Sequence, residues 1–329
     1  MDAAIRFLPG RGIDPGPGQA ENQNVRFVAV IAAAIFLASP ATAAPVPLPD
    51  APSCPLFPET NVWNKPVGKL PVRSNSRKIV RSIGARLPVH ADFGSGLWDG
   101  GPIGIPITIV DSSQATSPVD FQYDDESDPG PYPIPNGVAI EGGDDSEGDR
   151  HAIIVDSDSC TLYELFALYP SPWSAGSGAI WRLTSNALRP AGWTSADAAG
   201  LPILPGLVRY EEVAAGHIDH AIRFTVSRSR RGYVYPARHF ASDLTSKSLP
   251  PMGLRLRLRA NYPVSGFPYQ ARVVLKALKR YGMIVADNGT SWYLTGAPDP
   301  SWDNDQLHTL GKVKGSDFRV VDTRGFKNG

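Results

Sequence analysis

Cysteine is scarce in this 329-residue chain: only Cys54 and Cys160 occur. They do not form a pair with metal-ligand spacing, which excludes the zinc-ribbon and zinc-finger classes. A His-Glu-x-x-His run, a phosphate-binding loop and a dinucleotide fingerprint are also missing. With them go the usual signatures of zinc peptidases, nucleoside triphosphatases and nicotinamide enzymes. Gly176-Ser177-Gly178 lacks the spacing of a serine-nucleophile elbow. Nothing recurs at a solenoid or propeller period. Net charge is absent too: 32 Lys and Arg balance 32 Asp and Glu, which argues against nucleic acid as a partner. The apolar run at residues 28–38 falls short of the about 20 residues that a stable membrane span needs.

That run does suit the hydrophobic region of a signal peptide. Ala41-Thr42-Ala43 follows with small residues at the cleavage positions, so residues 1–43 read as a signal peptide and the mature chain starts near Ala44. The Gly/Pro-rich stretch 1–24 is long for an n-region. It reads as an extension from a start codon placed too early, with Val25 as initiator and Arg26 as the n-region charge. A secreted or periplasmic location follows. Both cysteines lie in the mature part and are expected to pair in an oxidising compartment.

Proline and glycine, at 32 each, predict many turns and long loops. Short helices are expected at residues 74–85, 267–281 and 303–310. Strands are expected at 103–110, 150–156, 161–168, 179–183, 207–210, 217–226, 231–235, 254–260, 283–286, 292–295 and 318–321, with hairpin turns at 157–159 and at Asn288-Gly289. The expected fold class is mainly β: a β-sandwich or jelly-roll with long Pro/Gly-rich loops and two or three short helices, with residues 44–329 as a single domain. Charge is unevenly spread. Residues 120–149 hold ten acids and no Lys or Arg, whereas 221–280 hold thirteen Lys and Arg and one acid, Asp243.

Asp149-Arg150-His151, Leu162-Tyr163-Glu164-Leu165, and the stretches at 192–206 (GWTSADAAGLPILPG) and 281–289 (YGMIVADNG) resemble segments of a secreted bacterial protein family without an assigned activity. The resemblance covers nearly all of the mature chain. It implies export and one long domain, and it carries over no catalytic residue.

The candidate chemistry comes from the residues. Glu164 sits in Leu162-Tyr163-Glu164-Leu165-Phe166, apolar on both strand faces. A carboxyl group there is desolvated and raised in pKa, which suits a proton donor, or else it is a buried acid paired with an arginine such as Arg150 or Arg182. On a strand at 217–226, period 2 puts His217, Asp219 and Arg223 on one face and His220 with the apolar residues on the other. Asp149 and His151 share a face at another strand entrance. Arg255, Arg257 and Arg259 alternate with leucines and form a basic ladder, either tracking an anionic polymer or simply facing water. Trp173 and Trp193, in polar contexts, suit sugar stacking or act as loop anchors. No metal site or cofactor is expected. The acidic loop Asp144, Asp145, Glu147 and Asp149 has the acids for Ca²⁺ but not the spacing of an EF-hand.

The expected function is a carbohydrate-active protein, glycoside-hydrolase-like, whose partner is an extracellular or envelope polysaccharide. Glu164 is the expected acid and Asp219 or Asp149 the second carboxylate, with His217 and Arg223 orienting substrate and Trp173, Trp193 and Arg257 binding it. Two alternatives stand beside it: a non-catalytic glycan-binding or envelope-associated module, and a lyase on an anionic polysaccharide.

Overall fold

A computed structural model describes residues 45–326, so the expected signal peptide lies outside the described residues. The first strands are β1 (His90–Asp92), β2 (Leu97–Trp98), β3 (Gly101–Pro102), β4 (Ile107–Val110) and β5 (Asp120–Phe121). Next come β6 (Ala152–Asp156), β7 (Thr161–Phe166), β8 (Ser174–Ala175) and β9 (Ser177–Arg182). The last are β10 (Ile222–Val226), β11 (Arg255–Leu258), β12 (Met283–Asn288), β13 (Tyr293–Thr295) and β14 (Phe318–Val320). The helices are α1 (Ser76–Ile83), α2 (Tyr210–Ala215), α3 (Tyr269–Arg280) and α4 (Asn304–His308). The chain is therefore mainly β with few short helices, as its composition predicts.

Two sheets carry the fold. The smaller runs β4-β6-β7-β9 and the larger β1-β13-β10-β12-β11-β14. Every residue of β6 is buried, because both faces of the small sheet are covered. Ile153, Val155, Leu162 and Trp181 pack on one side with Leu48, Leu56 and Phe57 of the leading segment. Ala152, Ile154 and Leu165 pack on the other with Tyr132, Ile134 and Ile140. A sheet covered on both faces reads as continuous apolar runs rather than alternation. The Cys54–Cys160 disulfide, Cα–Cα 5.2 Å, fastens the proline-rich leading segment to the β6–β7 turn.

The larger sheet owes its core to amphipathic helices and stacked aromatics. In α3, Ala271, Val274, Leu275 and Leu278 repeat at helical spacing and are buried. Trp292 stacks between Phe224 and Phe318. Two expectations are corrected here. The strand predicted at 217–226 begins only at Ile222, because α2 ends at Gly216 in the left-handed conformation (φ 87°) and residues 217–221 form the connection. Strand parity therefore does not apply to His217, Asp219 and His220. The predicted Asn288-Gly289 hairpin is not one either: β10 lies between β12 and β13, parallel to β12.

Among the described residues no helix is long and apolar enough to cross a membrane. The disulfide closes a loop of sequence separation 106. In the chain-entropy account a loop of that size is worth about 4–5 kcal/mol. Replacing both cysteines with serine is expected to lower the unfolding free energy by a large part of that amount, read from denaturant midpoints; an unchanged midpoint contradicts it.

Candidate functional site

Two clefts border the larger sheet along the seam where loops and, at the second cleft, the small sheet pack against it. The first, 470 Å³, is lined by His90, Asp92 and Phe93 from β1 and its flank, Trp98, Glu141, Gly142, Tyr293 and His308, among others. The second, 380 Å³, is lined by Glu126, Asp149, Phe166, Ser177, Thr194, His239, Asp287 and their neighbours.

Glu141 is held in place by a closed loop. Its N–H donates to the His151 carbonyl (2.9 Å), so residues 142–150 bulge out from two joined ends. Arg150, buried and at φ 51°, aims its Nη1 into that bulge and donates to the carbonyls of Asp144 (2.7 Å) and Ser146 (3.0 Å). The guanidinium thus occupies the inside of the acidic loop, and Asp144, Asp145, Glu147 and Asp149 do not converge on a common cation position. Among the described residues no cluster of His, Cys, Asp and Glu has metal-binding geometry. On the other side Gly101 lies so close to Gly142 that an added Cβ would stand 2.0 Å from its carbonyl carbon, so β3 seals the loop only because it carries glycine there.

His151 sits behind Glu141. Its Nε2–H donates to the Ala196 carbonyl at 3.0 Å, and its Nδ1 is 2.5 Å from Glu141 Oε2. A carbonyl cannot donate, so Nε2 carries a proton in any state, and the remaining proton belongs to Nδ1 or to Glu141. Burial alone would lower the His151 pKa, but the Glu141 carboxylate overrides it and raises it to about 9. Burial would likewise raise Glu141, yet the His151 charge and hydrogen bond hold it below the usual carboxylate range. The pair is an imidazolium and a carboxylate.

Asp92 shares the first cleft with Glu141, placed by the parallel pairing of β1 and β13 that sets it beside Thr295. It makes no ion pair among the described residues. Asp92 is exposed at the cleft wall, with the neighbouring groups crowding only part of its carboxyl. That partial desolvation, with the nearby Glu141 charge, pushes its pKa up to about 6. One cleft therefore holds two carboxyl groups driven in opposite directions. At its rim Trp98 is 78 % exposed, and His90 and Tyr293 pack ring to ring at 4.3 Å.

Arg223 underlies both clefts. It is buried, forms a two-point pair with Asp197 (2.9 and 2.8 Å), donates to Thr295 Oγ1 (2.7 Å) and lies 3.6 Å from Asp287. Burial and the Asp197 charge raise Asp287 to about 7, against the pull of Arg223.

The sequence-predicted residues are scattered. Glu164 is fully buried: its carboxyl accepts from the N–H groups of Ile203 and Leu204, and burial raises its pKa to about 7. The raised acid is present, but it anchors a turn and lines neither cleft. Asp219 is buried against Tyr281 (3.1 Å) and His217 (2.5 Å), away from both clefts. Arg223 is not an open substrate ligand, since Asp197 occupies it. Arg255 is buried and spends its donors on backbone carbonyls, and half-buried Arg257 reaches the Leu70 carbonyl, so the expected ladder does not form. Trp173 packs against the small-sheet core and Trp193 against Arg189. Only Asp149 lines a cleft. Asp92, Glu141 and Trp98 escape sequence reasoning; the glycine-flanked Leu97-Trp98-Asp99 tip was the available sign of an exposed aromatic. Comparison with protein-family models, with curated proteins and with solved structures finds no match to this chain.

Two pH measurements follow. Nitrogen NMR of the His151 ring is expected to show both nitrogens protonated at neutral pH, with the proton lost near pH 9; a ring titrating near 6.5 contradicts the ion pair. Glu164, raised from 4.5 to about 7, keeps its proton in the fold where the unfolded chain has lost it. Its contribution is full below 4.5 and is lost as pH rises through 7. Glu164→Gln is therefore expected to flatten the fall in unfolding free energy across that window, and an unaltered slope refutes it.

Proposed function

We propose that the protein is a glycoside-hydrolase-like enzyme acting on an extracellular or envelope polysaccharide, with Asp92 as general acid and Glu141 as nucleophile or base. The observation that carries this is the pair of carboxyl groups in one cleft, one raised to about 6 and the other held low by His151. Environments that push two carboxyl groups apart divide the acid and base roles between them. Asp92, protonated, gives its proton to the leaving glycosidic oxygen as the carbon–oxygen bond breaks. Glu141, ionised, supplies the electron pair at the sugar carbon directly or by taking a proton from water. Trp98 offers a flat apolar face for a sugar ring at the cleft mouth. The disulfide suits an exported chain.

A glycan-binding module without catalysis is the second reading, favoured by the exposure of Trp98 and Leu97 together on one hairpin. Reducing-end release from a glycan panel separates the two. Asp92→Asn and Glu141→Gln are each expected to lower kcat by about 10²–10⁴, while Asp219→Asn, distant from the cleft, stays within a few-fold. Activity of the wild type is expected to fall as pH rises through about 6, where Asp92 loses its proton, and to persist below the usual carboxylate range before Glu141 is protonated. No product from any glycan, with binding retained, favours the module; full activity in both variants removes the carboxylate mechanism.

A further inference from the structure

Where α1 packs against β14, a cavity of 460 Å³ is left, and four guanidinium groups line it: Arg73, Arg77, Arg81 and Arg319. It shares no lining residue with either cleft, and among the described residues that line it there is no Asp or Glu. Arg73 and Arg319 are half-buried, whereas Arg77 and Arg81 are exposed, one helical turn apart on α1. The side chains of Arg73, Arg77 and Arg81 have no hydrogen-bond or ion-pair partner among the described residues. Arg319 gives its Nη1 to the carbonyls of Ser316 (2.8 Å) and Phe318 (2.7 Å), and its Nε and Nη2 have no acceptor among the described residues. The nearby acids are already occupied: Asp317 by Arg259 and the Lys314 N–H, Asp322 by Arg324.

For the chain alone this arrangement is unfavourable. Arg257 and Arg319 stand directly opposite each other in the β11–β14 ladder, where like charges repel. Arg77 and Arg81 repeat that repulsion at four-residue spacing along α1. Burial, then the charges of Arg259 and Arg77, hold the Arg319 guanidinium below its ordinary pKa. The positive end of the α1 dipole adds to the field, because its first turn has no acid and its N-cap, Asn75, makes no side-chain bond. Ser76, at that same end, is a separate sign of a ligand. It lines the cavity and is only 4 % exposed. Its oxygen accepts from the Val320 N–H (2.9 Å), so its own proton is left without an acceptor among the described residues. A buried O–H in that state is destabilising until something accepts from it.

A multiply charged oxyanion satisfies both the guanidinium groups and the hydroxyl. A carboxylate presents two oxygens in one plane; a phosphoryl group presents three that diverge, which suits donors arriving from a helix and from a strand. We propose that this cavity is a binding site for a phosphoryl group, held by Arg73, Arg77, Arg81 and Arg319, with the Ser76 hydroxyl donating to it. The site is independent of the hydrolase reading above.

Calorimetric titration in low-salt buffer at neutral pH tests this with pyrophosphate and with tricarballylate, which carries three carboxylates and no phosphorus. Pyrophosphate is expected to bind at least about tenfold tighter than tricarballylate and to weaken as salt is added. Arg77→Gln and Arg319→Gln are each expected to lose about fivefold or more, while Lys276→Gln, exposed on α3 and outside the cavity, stays within about twofold. Arg77→Gln relieves repulsion in the free protein, so its denaturant midpoint without ligand is expected to equal or exceed that of the wild type; this separates lost binding from lost folding. Sedimentation with phosphatidylcholine vesicles, with and without phosphatidic acid, identifies the source of the phosphoryl group. Binding to the phosphatidic acid vesicles that pyrophosphate displaces assigns a lipid headgroup, and pyrophosphate binding without it assigns a soluble or polymer-borne phosphate. No binding of pyrophosphate, equal affinity for tricarballylate, full affinity in both arginine variants, or an equal loss in Lys276→Gln overturns the proposal.

Discussion

A guanidinium that cannot reach water has to be neutralised where it stands, and Arg223 imposes that condition on the whole seam. It lies on β10, inside the larger sheet, and reaches towards the loop that carries Asp197. The two-point pair ties that loop to the sheet, and Thr295 Oγ1 takes a further donor from β13, the strand that sets Asp92 in register. Breaking one partner of such a buried pair leaves an uncompensated charge and costs several kcal/mol, about 3–5 by analogy with other buried pairs. The same charge reaches further. It draws down Asp92, Glu141 and Asp287, and works against protonation of His151.

Because Arg223 acts on Asp92 and Glu141 in the same direction, it does not divide their roles. Burial does not divide them either, since it raises both. The difference lies in His151. Glu141 has an imidazolium against one oxygen, whereas Asp92 has no ion-pair partner among the described residues, and the Glu141 and Asp149 charges hinder its ionisation. One buried histidine therefore sets which carboxyl group gives a proton and which holds a negative charge.

How much of this is legible in the sequence depends on the range of the interaction. The mainly-β character, the pairing of Cys54 with Cys160 and α3 follow from local composition and spacing, and each is present. Glu164 is buried with a raised pKa, as its apolar neighbours indicate, but whether a buried acid faces a cleft or a turn is decided by Ile203 and Leu204, about 40 residues on. The cluster at His217, Asp219 and His220 misleads because parity presumes a strand, and Gly216 in its left-handed conformation delays the strand to Ile222. Asp92 and Glu141 carry no local mark. Their meeting depends on the β1–β13 pairing and on a loop closed by His151, contacts that join segments far apart in the chain.

The Glu141 loop shows why its sequence looks like a cation site without serving as one. Its acids point outward to water, while its carbonyls point inward, and the inward set is what holds a positive charge. Arg150 fills that position from within the chain, which requires a non-glycine residue at φ 51°, an uncommon conformation. The next residue, His151, then reaches Glu141 at the base of the same loop. Two adjacent residues thus do separate work: Arg150 fixes the loop that bears the acids, and His151 fixes the ionisation of the carboxylate at its root. The acids left over, chiefly Asp149, remain unpaired and face the second cleft. The exposure of Asp149 is therefore a consequence of how the loop is held, because Arg150, the cation that stabilises it, is placed on its inner side.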